Sequence, residues 1–123
     1  MRIGADYYPE HWEKERWKTD AEMMVKANIK VIRIGEFAWS LYEPEEGKYE
    51  FDWMDEALDF FGKYGIKVVM CTPSATPPKW MIDKYPDILQ NDIHGNPKLF
   101  GTRKHYCFNS ETYREKTKKL KFL

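Results

Sequence analysis

The feature that most constrains this chain is its hydrophobic period, which switches back and forth between about two residues and about 3.6. Arg2 to Tyr7 reads as a short buried strand. Pro9 and Trp12 lead into a helix reaching about Ala27, because Trp17, Ala21, Met24 and Val25 fall at i, i+4, i+7 and i+8. Asn28 is its stop. Lys30 to Ile34 is a second strand, ended by Gly35. Pro44 and Gly47 mark a turn-rich loop over 43–49. Asp52 then caps a second helix, with Glu56 near the capping-box position and Met54, Ala57, Leu58 and Phe61 as its apolar stripe. Gly65 ends that helix, and Ile66 to Cys71 is a third strand. Thr76-Pro77-Pro78 reads as a cap with proline in the first turn, opening a short helix to about Lys84. Pro86 to Phe108 reads as a long irregular loop, a kind that is usually functional. Ser110 caps a last helix, whose third residue is Tyr113 rather than an acid or amide, and whose stripe, Tyr113 and Leu120, is weak.

Strands alternating with helices imply right-handed βαβ units and a parallel sheet, so the fold class is α/β. Three parallel strands are too few to close a barrel, which takes eight. An open three-stranded sheet also leaves two unpaired edges. The expectation is therefore an α/β fold whose parallel sheet is incomplete. The 123 residues are 42% hydrophobic and 33% charged, a globular composition with no repeat or linker.

Charge and hydropathy exclude several functions. Lys and Arg total 20 against 20 Asp and Glu, and a broad nucleic-acid surface normally needs a basic excess. The one basic concentration, Lys116 to Lys121, reads as a solvated helix face. No window approaches the roughly 20 apolar residues of a membrane span. Arg2 is followed at once by strand-like residues, with no secretory apolar region, so a cytoplasmic protein is expected. Cys71 and Cys107 do not make a disulfide framework.

In a parallel α/β sheet, sites lie at the C-terminal ends of strands. Three patches qualify: Asp6-Tyr7-Tyr8-Pro9, Arg33 to Trp39, and Cys71-Thr72-Pro73-Ser74. The second is the most informative, because it sets Arg33, Glu36, Phe37 and Trp39 at one strand mouth. Sugars present apolar C–H faces and hydroxyl edges, so a site for them wants aromatic platforms beside charged hydrogen-bonding groups. The competing reading is a structural Arg33–Glu36 ion pair under core aromatics. Glycoside hydrolysis usually needs two carboxylates, about 5–5.5 Å apart in a retaining enzyme. Glu36 is a candidate for one, with Asp6 its only rival partner. Neither is assigned as catalytic, and the expected roles are orienting the groups that contact the ligand and packing the strand mouth. In the loop 101–109, Arg103 suits a sugar hydroxyl or a carboxylate through its planar fork, against the alternative of a solvent-facing charge. Zinc takes four ligands, or three and a water. Cys71, His94, His105 and Cys107 are the donors of suitable type and form no CxxC pair, so a self-contained zinc site is not expected. There is no phosphate loop, serine elbow or HExxH.

Several strings resemble a known family. Gly4-Ala5-Asp6-Tyr7-Tyr8-Pro9-Glu10-His11-Trp12 is similar to the opening of the glycoside hydrolase family 42 β-galactosidases. Val31 to Ser40 and Glu43-Pro44-Glu45-Glu46-Gly47 resemble its second-strand exit. Thr72-Pro73, Pro77-Pro78 and Trp80 resemble its third, and Arg103-Lys104-His105-Tyr106-Cys107 with Asn109-Ser110 its next landmark. The resemblance covers nearly the whole chain, while Lys119 to Leu123 departs from it. It implies an incomplete TIM (β/α)₈ barrel, about its first three βα units, with residues 1–123 as one N-terminal fragment of a catalytic domain. It implies retaining hydrolysis of terminal β-galactosides by two glutamates on later strands, an acid/base and a nucleophile, both beyond Leu123. It implies that Arg103 binds galactose and that Arg33, Glu36 and Trp39 line or support the site. It implies that Cys107 is one of four cysteines holding a structural zinc, with no cofactor needed for the chemistry. The leading expectation is a β-galactosidase piece inactive alone. The alternatives are a non-catalytic sugar-binding or assembly module, and a half-barrel completed by self-association or by a complementing chain.

Overall fold

A computed structural model describes residues 3–101 and 104–120. Its elements are β1 (Ile3–Asp6), α1 (Lys14–Lys26), β2 (Ile29–Ile34), α2 (Trp39–Tyr42), α3 (Asp52–Lys63), β3 (Lys67–Met70), α4 (Lys79–Lys84) and α5 (Glu111–Leu120), with 3₁₀ turns at Pro9–His11 and Pro86–Ile88. They fall into two compact units. One holds 1–35 and 50–71, the other 36–49 and 72–123. The described residues contain no helix long and apolar enough to cross a membrane.

The first unit holds the sheet. Its strands lie in the order β1-β2-β3, both pairings are parallel, and Ala5 stands opposite Ile32, which stands opposite Val68. The parallel α/β class expected from the periodicity is therefore present. α1 packs on β2 and α3 on β3. Ile32, Ile34, Ala21, Ala57 and Phe61 are completely buried between them. Burying each large side chain of this set contributes about 1.5–3 kcal/mol. Phe61 meets Tyr7 edge-on with ring centroids 5.2 Å apart, and the Trp17 indole N–H donates to the Pro9 carbonyl at 3.1 Å. Two left-handed positions break the elements where the sequence suggested. Asn28 after α1 has φ 58°, and Gly35 after β2 has φ 82°. In β1, Gly4 is needed for a different reason: a Cβ there would lie 3.1 Å from the Val31 carbonyl oxygen, a close approach that a side chain resists.

Some expectations fail locally. α1 begins at Lys14, because Pro9–His11 forms a separate turn. Of its predicted stripe only Trp17 and Ala21 are buried. Val25 is 42% exposed, since no described residue covers the outer face of the last turn. Asp52 is the first residue of α3 rather than its cap, and makes no capping bond. Glu56 pairs instead with Lys14 across to α1.

The second unit packs around Trp39, Met81, Ile82, Ile88, Tyr106 and Tyr113. α2 is a four-residue helix absent from the sequence reading. α4 begins at Lys79 behind Pro78, because Thr76 spends its hydroxyl on the Phe37 carbonyl (3.3 Å) instead of capping. The segment 86–108 is more ordered than expected. Gln90 N–H donates to the His105 carbonyl, and Cys107 N–H to that of Ile88, both at 2.7 Å, with bridges at Leu89–Tyr106 and Asn91–Pro97. Ser110 does cap α5, its Oγ accepting from Tyr113 N–H at 3.2 Å. The weak stripe of α5 rests on Tyr113, which stacks on Tyr106 at 4.4 Å and donates its hydroxyl to the Ser74 carbonyl at 2.7 Å. Glu46 collects Lys84, Lys116 and the Tyr85 hydroxyl.

Candidate functional site

The strand register of the first unit places Asp6 opposite Arg33 at the C-terminal ends of β1 and β2. The Arg33 guanidinium makes a two-point fork to that carboxylate, Nε to Oδ1 at 2.7 Å and a terminal nitrogen to Oδ2 at 3.1 Å. Such a fork fixes the plane of both groups. It also holds the Asp6 carboxyl below the usual carboxylate range. Both side chains remain about half exposed. They edge a hollow of about 310 Å³ lined by Gly4, Ala5 and Val31 as well. An arginine already oriented by a carboxylate, in an open hollow at strand ends, has donors in place for a hydroxyl-rich ligand.

Behind β1, the Tyr7 hydroxyl donates to Asp20 Oδ2 at 2.9 Å, and Arg16 Nε approaches the same carboxylate at 3.2 Å. Burial and the neighbouring Asp20 charge push the Tyr7 phenol well above its ordinary value. Tyr7 therefore serves as a fixed hydrogen-bond donor. Asp20 was not singled out from the sequence. The available signal was a carboxylate set between Trp17 and Ala21 on the buried face of α1.

In the second unit, Glu36 and Phe37 form the turn after Gly35, both half-buried. Trp39 is fully buried, and its indole N–H donates to Glu43 Oε2 at 2.9 Å. Glu43 is itself buried. Its other oxygen accepts Gly47 N–H at 2.9 Å, and its carbonyl accepts the Trp80 indole N–H at 2.8 Å. Trp39 thus supports the 36–49 segment from within. Glu43 is the residue that sequence reasoning missed there, a carboxylate inside what read as a surface turn. A cavity of about 390 Å³ is walled by Phe37, Pro77, Pro78 and Phe100, with Thr76 and His105 among its polar groups.

Arg103 lies outside the described residues. Cys71 and Cys107 are free thiols, each partly buried. Among the described residues no three His, Cys, Asp or Glu side chains gather as a metal site.

The family model for glycoside hydrolase family 42, described as β-galactosidase, matches residues 6–122. A β-galactosidase of Thermus thermophilus is 53% identical over 118 residues, which are 96% of this chain and 18% of that protein. β-Galactosidase BgaH of Haloferax lucentense is 50% identical over 120 residues, 98% of this chain and 18% of its own. The solved β-galactosidase of the Antarctic haloarchaeon Halorubrum lacusprofundi superposes with a TM-score of 0.92 at 47% identity, over 98% of this chain and 18% of that one. The chain thus spans about 18% of the length of these relatives. With the parallel sheet, the strand-end arginine and a family match over nearly every residue, this chain belongs to the glycoside hydrolase family 42 β-galactosidases.

Proposed function

We propose that this chain forms one wall of the sugar site of a retaining β-galactosidase, and that the bond-breaking glutamates come from the rest of the barrel. The observation that carries the reading is the Asp6–Arg33 fork at the strand ends in a chain matched by the family model over residues 6–122. In this reading Arg33, held in plane by Asp6, and Arg103 donate to galactose hydroxyls. Glu36 accepts from them, and Trp39 keeps the Glu36 segment in shape through Glu43. Donors fixed before the sugar arrives stabilise the transition state without reorganising. No residue of this chain is assigned to proton transfer or nucleophilic attack, so the chain alone is expected to be inactive.

A structural zinc with Cys107 as one ligand is the remaining part of the family expectation. The described residues do not by themselves fit such a site, since no three donors gather, and no step is routed through a metal. A cytoplasmic setting fits two cysteines that stand as free thiols.

The test uses a chromogenic β-galactoside. The purified chain should give no turnover above background. The same sequence, replacing the matched segment of the Thermus thermophilus relative, should support hydrolysis. Arg33→Ala or Arg103→Ala in that chimera should lower kcat/KM by about 10- to 100-fold, the worth of a charge-assisted bond of about 1.5–3 kcal/mol. Turnover by the isolated chain that disappears when one of its own residues is mutated would sink the proposal.

A further inference from the structure

We infer that the cavity walled by Phe37, Phe100, Pro77 and Pro78 seats the aglycone of a β-galactoside, the group on the leaving side of the bond, and that the aglycone it takes is an apolar ring. The inference rests on the proposed β-galactosidase role and adds the class of substrate. The cavity holds about 390 Å³, inside the range of about 300–1,000 Å³ of small-molecule sites. All of its lining lies in the second unit.

Its walls come from the parts of the chain that build a substrate site. Phe37 and Ser40 belong to the segment after β2, and Thr76 to Lys79 to the segment after β3. Loops that follow the strands of a (β/α)₈ barrel form its substrate site. Phe37 is the residue after Glu36, which is proposed to accept from a galactose hydroxyl, and Gly101 stands two places before Arg103 in the sequence. A pocket that begins next to those residues is in place for the group to which galactose is joined.

The chemistry of the pocket separates the aglycone from galactose itself. Its polar groups are largely engaged. Thr76 gives its hydroxyl to the Phe37 carbonyl at 3.3 Å, and Lys79 pairs with Asp83. The His105 ring is buried and meets Phe100 edge-on, with centroids 5.8 Å apart. Galactose set here would leave most of its hydroxyls without partners, which disfavours its burial. An apolar ring strips no polar group of water and gains the faces of two phenylalanines and two prolines. The seat also exists before the ligand arrives. Pro77 is completely buried, proline fixes its own φ, and the Thr76 bond ties this stretch to Phe37. Walls already fixed lose little freedom on binding.

The test compares two uncleavable ligands that differ only in the aglycone, phenyl and methyl β-thiogalactoside, so it reads binding rather than turnover. Titration of the 123-residue chain, followed by NMR, should show the phenyl compound bound about tenfold more tightly, the lower end of what burying a phenyl group is worth. Phe100→Ala, at a half-exposed position, should shrink that preference at least threefold, and Phe37→Ala should do the same. Equal binding of the two ligands overturns the inference. So does a phenyl preference that neither substitution changes, because the ring then sits elsewhere. Where circular dichroism shows that the isolated chain does not hold its fold, the same comparison in the chimera with the Thermus thermophilus relative decides, on the same outcomes. A chimera that prefers the phenyl ligand through Phe100 yet hydrolyses no galactoside supports the subsite and counts against the catalytic reading alone. A chimera that hydrolyses galactosides but binds both ligands equally overturns the subsite alone.

Discussion

Replacing Glu10 by Gln should stabilise this chain near neutral pH and do nothing in acid. Both carboxylate oxygens of Glu10 are shut off from solvent without a hydrogen-bond partner, and burial raises its pKa above the ordinary 4.5. Leaving a buried polar group unsatisfied costs about 1–3 kcal/mol, and more when it is charged. Glutamine leaves the first cost in place and removes the second. The rest of the side chain is only half-buried, which discounts the gain to about 1 kcal/mol. With a urea m-value of about 2 kcal/mol/M for a chain of this size, the midpoint should rise by about 0.5 M. The sign with pH follows from linkage. A carboxyl whose folded pKa is raised favours the folded state below its unfolded pKa, and that advantage is lost as pH climbs through the folded value. The two proteins should therefore unfold together near pH 3 and diverge as pH rises past 4.5, reaching a plateau above the folded pKa. Trp17 is a suitable fluorescence reporter, because its indole is bonded to Pro9, the residue before Glu10. A glutamine variant less stable at pH 7, or a difference that does not change with pH, would refute the reasoning.

Other expectations follow from single contacts. Tyr113→Phe should cost about 1 kcal/mol, the worth of the Ser74 bond, and Tyr113→Ala about 3–5 kcal/mol by emptying the stack on Tyr106. Urea unfolding should resolve the two. Glu46, held at a pKa of about 2 by Lys116, Lys84 and Tyr85, stabilises the fold above pH 4.5, a contribution lost as pH falls toward 2. Glu46→Gln should accordingly lower stability above pH 4.5 and flatten the acid limb of a stability–pH curve, leaving the two proteins alike near pH 2. Gly4→Val should lower the midpoint by an overpacking cost of about 1–3 kcal/mol, because its side chain would press on the Val31 carbonyl. Ile32→Ala, at a completely buried position, should cost about 2–5 kcal/mol in the same assay.

The parts of this molecule that were legible in advance are those decided by local physics. β2 could be read because Val31, Ile32 and Ile34 are β-branched and bounded by Asn28 and Gly35, whose positive φ angles end the elements on either side. Ser110 could be read because a hydroxyl at a helix start meets its own backbone three residues on. Where distant groups compete for the same atom, local signals mislead. Thr76 has the chemistry of a cap, yet the Phe37 carbonyl, 39 residues away, takes its hydroxyl. Asp52 has the same chemistry, and the helix begins on it rather than after it. The candidate site divides along the same line. Arg33 and Asp6 each looked functional from strand-end position alone, but that they would be one fork required the register. Trp39 read as an aromatic at a strand mouth, and only the fold shows its ring packed among Met81, Ile88 and Tyr113, with its N–H satisfied by the Glu43 carboxylate. Glu43 and Asp20 share the property that hid them: each is an acid whose neighbours in sequence suggest surface or stripe, and only the fold shows it buried on its hydrogen-bond donors. The consequence for function is specific. A residue such as Arg33 can be proposed as a ligand contact from position, but its orientation belongs to Asp6, so Asp6→Asn in the chimera should weaken galactoside turnover through Arg33 rather than directly. The addition of Asp6→Asn to Arg33→Ala should then change kcat/KM little further, and additive losses would show that the two act apart.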